Sequence, residues 1–297
     1  MIDKQEGVLS KTAVLQCTAY QASGAFTYFG ILRSIFWGCL AVILLGAVYG
    51  YWMYYLYSLF SVLLPPIYGR AIGLVVSHTA RAAQIRSSWI GPAVGALVGL
   101  VATYTGWVFW VLAWSGHELF TPISDYGLSA CFVEIMQDGI WYFDLFKVKG
   151  SSLGLLWSLE LCFVVTGAWF GGGFYADEPF CESCHKWSAD NWESPKLDGA
   201  VCLDTKRFKT KLANDPEAAL LSFSEADGNT CESLAQIKVK ACPTCQGFYA
   251  LGLTVKDCHL DDDGKKTSTL KVLATNLMIS PEFFQNLKGA YSKSETR

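Results

Sequence analysis

Residues 34–69 carry no charged side chain. As one helix that stretch would be about 54 Å long at 1.5 Å per residue, against a hydrocarbon core of about 30 Å, so the chain must turn back within it. A turn near Tyr54–Ser58 divides it into a first span over 34–54 and a second over 58–79. The second holds Pro65-Pro66 as a kink and Arg70 in its interior. The uncharged run from Trp89 to Trp114 predicts a third span. Ser152–Phe174, interrupted only by Glu160, predicts a fourth. This concentration of apolar residues explains why only 16% of the chain is charged, against about a quarter in soluble domains.

Charge placement orients the spans. Four crossings put Lys4, Lys11 and Arg33 on the same side as Arg81 and Arg86. The loop over 116–150, with Glu118, Asp125, Glu134, Asp138 and Asp144, then lies on the opposite side. Three crossings would export Arg81 and Arg86, against the positive-inside tendency, so both termini are expected in the cytoplasm of a multi-pass cell-membrane protein. The expected organisation is a short polar segment over 1–30, a four-span domain over 31–176 and an aqueous α+β domain over 177–297. Met1–Gly24 is polar and the apolar stretch behind it is longer than a signal-peptide core, so no cleavable signal peptide is expected.

Within the spans, Gly91, Gly95 and Gly99 recur every four residues, and Gly69 and Gly73 repeat that spacing. Such grooves let backbones approach closely. Packing within the chain is the simpler use, and a homo-oligomer through Gly91, Gly95 and Gly99 is the other. Trp107, Trp110 and Trp114 read as an interfacial aromatic belt, and His78 and His117 as interfacial residues. Tyr126–Asp138 has helical apolar spacing closed by Gly139, as for an amphipathic helix on the membrane surface or capping the bundle. Arg70 and Glu160 are charges inside spans, where isolation is costly, so they are expected to pair.

The aqueous half carries 15 of the 23 basic and 18 of the 26 acidic residues, a net negative balance that argues against nucleic-acid binding. Seven of the 11 cysteines also lie there. Cys181-Glu-Ser-Cys184 and Cys242-Pro-Thr-Cys245 are two CxxC pairs, and two such pairs supply the four thiolates of a tetrahedral zinc site. In a reducing cytoplasm stable disulfides are disfavoured and metal ligation gains. Against this, the spacer between the pairs, residues 185–241, is far longer than the roughly 15–20 residues of compact zinc sites. His185 could substitute for one ligand, although a solvated histidine is the simpler reading. Cys202, Cys231 and Cys258 read as small core residues.

Asp204 caps a helix with Phe208 and Leu212 on its apolar face, and Asp215-Pro216-Glu217 opens another through Leu221. Ile237, Val239 and Ala241 alternate with lysines into Cys242, and Tyr249, Leu251, Leu253 and Val255 alternate beyond it. Cys242–Cys245 therefore reads as the tip of a hairpin. Asp261–Asp263 reads as a solvated turn before a third strand near 268–275. Ser280-Pro281-Glu282 starts a last helix ending near Gly289. No Walker loop, GxSxG or HExxH motif is present.

Leu45–Tyr51, Pro66-Ile67-Tyr68, Gly139-Ile140-Trp141, Trp157–Glu160 and above all Glu178–Trp187, followed by Cys242–Cys245, resemble an uncharacterised family of bacterial multi-pass membrane proteins. That resemblance implies a four-span anchor with a cytoplasmic, zinc-ribbon-like cysteine domain, and no mechanism. The function expected is a membrane-anchored zinc-binding structural or protein-interaction module, in contact with lipid and with a protein partner on the cytoplasmic face. The alternatives are a transport or channel component using Glu160 and Arg70, and a thiol–disulfide oxidoreductase at Cys181 and Cys184.

Overall fold

The computed structural model describes residues 18–55, 63–114, 121–139, 141–143, 146–202, 204–226, 233–260 and 266–292. Cys17, His117, Cys231, Asp261–Asp263 and the turn expected beyond Tyr55 lie outside the described residues. The chain divides into two units, one over Ala22–Asp177 and one combining residues through Gln21 with Glu178–Arg297.

The first unit is helical. α1 (Tyr28–Tyr55), α2 (Leu64–Ala82), α3 (Ile90–Trp114) and α5 (Ser151–Gly172) run alternately up and down. The register follows from what each glycine faces. Gly38 of α1 lies against Val76 and Val98, and Gly46 against Tyr68 and Thr105, so α1 is antiparallel to α2 and parallel to α3. Gly69 and Gly73 of α2 abut the backbone at Val164 and Ala168 of α5, which makes those two helices parallel. Between α3 and α5 lie α4 (Thr121–Asp138) and the hairpin β1 (Trp141–Phe143)–β2 (Phe146–Val148). α4 stops at Gly139, whose φ of 67° suits the residue that ends a helix. Its Cys131 and Ile135 join the core of the bundle.

Among the described residues three helices, not four, are long and apolar enough to cross a membrane: α1, α3 and α5, of 28, 25 and 22 residues. The expected second span corresponds to α2, whose Arg70, His78 and Arg81 dilute its apolarity. Its neighbours cover much of it, burying Tyr68, Gly69, Ile72, Gly73, Val76, Ser77 and Ala80. Pro65-Pro66 is no kink. The prolines stand at the start of α2, where their missing N–H groups have no partner to lose. The tryptophan belt is corrected at Trp110, which is 8% exposed and sits in the bundle core. α1 approaches the α3 main chain at this level, where a Cβ at Gly50 would come within 2.8 Å of the Trp110 backbone nitrogen. The groove of Gly91, Gly95 and Gly99 is filled by α5 of the same chain, which the four-residue spacing alone could not distinguish from a second copy.

The second unit is a five-stranded antiparallel sheet with helices on one face. β5 (Ala189–Glu193) and β6 (Leu197–Asp198) share one edge of β7 (Ser233–Ala241). β7 pairs with β8 (Tyr249–Leu260), and β8 with β9 (Lys266–Ile279). Strict alternation in β7 buries Ala235, Ile237, Val239 and Ala241 on the helix-covered face. Onto that face pack Phe208 and Leu212 of α6 (Thr205–Asn214), Ala219 and Leu220 of α7 (Pro216–Leu220), and Phe283, Phe284 and Leu287 of α8 (Pro281–Ser292). The caps match the sequence reading. Asp204 accepts the Arg207 N–H, Asp215 the Ala218 N–H, and Ser280 the Phe283 N–H. α8 runs past Gly289 to Ser292, and the Tyr291 hydroxyl donates to the Leu220 carbonyl at 2.6 Å. The outer edge of β9 takes up the N-terminal residues, with the Tyr20 N–H on Asn276 and the Met278 N–H on Thr18.

The bundle's tolerance should follow these close approaches. Gly95→Ala pushes a methyl into the Ala168 carbonyl, whereas at Gly154 the nearest atom is the Met136 methyl at 3.7 Å. Thermal unfolding in detergent should show Gly95→Ala destabilised by about 1–3 kcal/mol and Gly154→Ala unchanged or slightly stabilised.

Candidate metal centre

Two short hairpins carry the cysteines. β3 (Phe180–Cys181) and β4 (Lys186–Trp187) enclose the first CxxC, with Phe180 and Trp187 packed edge to face at 5.0 Å. β7 and β8 enclose the second, closed by the Cys242 N–H on the Phe248 carbonyl. The residue after each pair, His185 (φ 52°) and Gln246 (φ 50°), adopts the left-handed conformation that turns the chain back into its returning strand. The two knuckles thus share one local design. The long spacer is filled by β4, β5, β6, α6, α7 and β7, a folded insertion that leaves the knuckles adjacent.

The four sulfurs of Cys181, Cys184, Cys242 and Cys245 lie within 4.8 Å of one another. The Cys181 and Cys245 Sγ atoms are 3.7 Å apart. A tetrahedral centre with metal–thiolate bonds of about 2.3 Å requires sulfur–sulfur edges of about 3.8 Å. That spacing is far too long for a disulfide bond of about 2.05 Å. Four cysteines held this closely could bind a metal ion, and the donor set suits a thiophilic one. Cys181 and Cys242 are buried, Cys184 half-buried and Cys245 exposed, so the cluster sits at a surface with an entry path.

Electrostatics divides the thiols. Burial acts to raise Cys242, but N–H groups of Cys245 and Thr244 and the thiols of Cys245 and Cys181 outweigh it, bringing Cys242 to about 6. Cys184 is pushed up to about 12, first by the Cys245 thiol. Burial also raises Cys181. Within the cluster Cys242 is thus lowered while Cys181 and Cys184 are raised.

Tyr20 spans both knuckles. Its hydroxyl accepts the Phe180 N–H at 3.2 Å, and its ring meets Phe248 edge-on at 6.2 Å. Nothing in the sequence around Tyr20 signalled this, because isolated bridge residues carry no periodicity. The β3–β4 hairpin was legible in principle from the aromatic residues flanking the first CxxC. Exposed His185 lies outside the four-sulfur group. Cys202 is a core residue, its thiol pushed up to about 12 by burial and by Asp257.

Arg70 and Glu160 are not paired. Glu160 accepts a hydrogen bond from the Tyr49 hydroxyl at 2.6 Å, and Arg70 lies over the Phe174 ring at 5.3 Å. The register explains the separation. The backbone of Arg70 abuts Gly167 and Gly171, two to three turns of α5 beyond Glu160, or about 10–16 Å along the axis. Tyr49 stacks on Tyr68 at 4.3 Å, which holds the hydroxyl in place. The space beside Glu160, lined by Tyr49, Met53, Gly106, Trp107, Trp110 and Trp157, is about 10 Å³, room for roughly one water. His78 meets the Tyr175 hydroxyl at 3.2 Å, and Arg81 lies over the same ring.

The fold and site together define a class: a helical bundle with three helices able to cross a membrane, linked to a sheet unit bearing a four-cysteine cluster. No family model, no curated protein and no solved structure matches the chain.

Two measurements test these contacts. Cobalt(II) should give tetrahedral-thiolate absorption, and because its binding expels thiol protons its apparent affinity should rise more than about tenfold per pH unit between roughly pH 6 and 8. A flat profile would mean that the thiols are not the ligands. In a double-mutant cycle, Tyr49→Phe and Glu160→Gln should be coupled by about 1 kcal/mol or more, whereas Arg70→Met and Glu160→Gln should be additive.

Proposed function

We propose that this is a multi-pass membrane protein whose aqueous unit is a zinc-tied, zinc-ribbon-like module that serves as a structural or protein-interaction platform on the cytoplasmic face. The observation that carries the reading is the convergence of four thiols from two matching hairpin knuckles at a spacing suited to a tetrahedral ion. Zinc is the natural occupant, since four thiolates in tetrahedral array suit it and leave no coordination position for a substrate or water. The site is thus structural in kind, which fits the absence of catalytic motifs.

In this reading α2 is the fourth crossing. It runs antiparallel to α1 from Tyr68 beside Gly46 to Ala83 beside Gly30, along about 24 Å of α1 at 1.5 Å per residue. Four crossings return Arg81 and Arg86 to the side of Arg33 and place both termini in the cytoplasm. The thiol–disulfide alternative is disfavoured by the chemistry of its own pair, because Cys181 and Cys184 are both raised whereas exchange needs a lowered thiol.

Protein purified in mild detergent without chelator should contain about one zinc per chain. Cys181→Ser and Cys245→Ser should each abolish it and expose the sheet unit to protease. An aqueous unit that remains metal-free and protease-resistant after chelation would sink the proposal.

A further inference from the structure

α6 has two unlike faces. Phe208 and Leu212 are buried against the sheet, while Lys206, Arg207, Lys209 and Lys211 are all exposed. At about 100° per residue Lys206 and Arg207 lie opposite the buried pair, and Lys209 and Lys211 flank it on either side, so the exposed arc of the helix is cationic along its whole width. Thr205–Asn214 contains no acidic residue. The aspartates flanking it are engaged as caps, Asp204 on the Arg207 N–H and Asp215 on the Ala218 N–H. Three other lysines of this unit are paired: Lys238 with Glu193, Lys240 with Glu178, and Lys271 with Asp257. Among the described residues, none of the four α6 cations is in an ion pair. Arg207 and Lys211, one turn apart, border an open groove of about 520 Å³ whose other walls are Ala200, Val201, Asp204 and Phe208. Val201 is 40% exposed there, so cations stand beside an accessible apolar surface.

We propose that this face of α6 docks on anionic phospholipid headgroups of the leaflet that anchors the chain, an inference that rests on the membrane-anchored, cytoplasmic reading above. The cations meet lipid phosphates and carboxylates, and Val201 meets the glycerol and upper acyl region. Chain connectivity keeps such a surface close. Residues 22–27 and 173–177, which precede α1 and follow α5, reach only about 18–21 Å even when extended at about 3.5 Å per residue. A tethered basic patch needs little intrinsic affinity, because the lipid is present at high effective concentration. A nucleic acid fits less well. The patch spans under three helical turns on a unit of net negative charge, so phosphates beyond the patch would meet acidic surface.

The full chain, reconstituted in nanodiscs open on both faces, allows the test. Acylation of lysines by a water-soluble reagent is read by mass spectrometry in phosphatidylcholine alone and with about 30% phosphatidylserine. Lys206, Lys209 and Lys211 should react at least about threefold more slowly in the phosphatidylserine discs, with Lys238 and Lys256 unchanged. The difference should vanish when salt is raised from about 0.05 to 0.5 M. Equal rates in the two lipids would overturn the proposal. So would salt-independent protection in both, which would mean a protein contact, or protection that appears only on adding an RNA oligonucleotide. Labelling of the same lysines by an impermeant reagent in intact cells would instead overturn the cytoplasmic reading on which the proposal rests, and is thereby told apart from failure of lipid docking alone.

Discussion

The helical unit depends on one kind of contact, backbone lying directly on backbone where α5 meets α2 and α3. Gly69, Gly73, Gly91, Gly95, Gly167, Gly171 and Gly172 all stand where a Cβ would strike the facing main chain. Apolar helices that cross a membrane have no hydrophobic drive to join, and dispersion between closely approached backbones is what such a packing supplies. That contact fixes the axial register. It hides much of α2, a helix too polar to face lipid alone, and sets Arg70 beside Gly167 and Gly171. The buried tyrosines follow from the same register, since Tyr49 and Tyr68 can stack only if α1 and α2 meet at that level.

In the sheet unit the corresponding constraint is the thiol cluster. β3 and β4 are only two residues long and pair only with each other, too little to persist by hydrogen bonding alone. They are held by Phe180, fully buried, by the Phe180–Trp187 contact, and by the convergence of their cysteines on those of the β7–β8 hairpin. Tyr20 adds a bond to the same small hairpin from the N-terminal side.

Much of this was legible where the signal is local. Runs of apolar residues located α1, α3 and α5. Asp204, Asp215 and Ser280 marked helix starts through cap chemistry, and alternation placed β7 and β8 around Cys242–Cys245. What depended on register was not legible. The expected Arg70–Glu160 pair counted depth from assumed span ends, while α2 begins at Leu64 and its glycines decide which turn of α5 it meets. Trp110 looked interfacial by position, yet its side chain belongs to the core of the bundle. β5 and β6 carry no pattern of their own, because a bulged edge strand and a two-residue strand take their conformation from β7.

Residues that are distant in sequence converge at the two knuckles, and this bears on what a metal would do there. Phe180 precedes Cys181 directly and Phe248 closes the second knuckle, and Tyr20 touches both. Tyr20 in turn belongs to the short segment bonded to the outer edge of β9. An ion held by the four thiols would therefore tie together the segment leading toward α1, the segment arriving from α5 and the central hairpin of the sheet. A catalytic centre needs an open coordination position and a pocket for substrate. Here all four donors come from the protein, and the surrounding side chains are aromatic residues packed on one another. On the reading proposed above, such an ion would be structural, holding together the three chain segments of the sheet unit that meet at the knuckles.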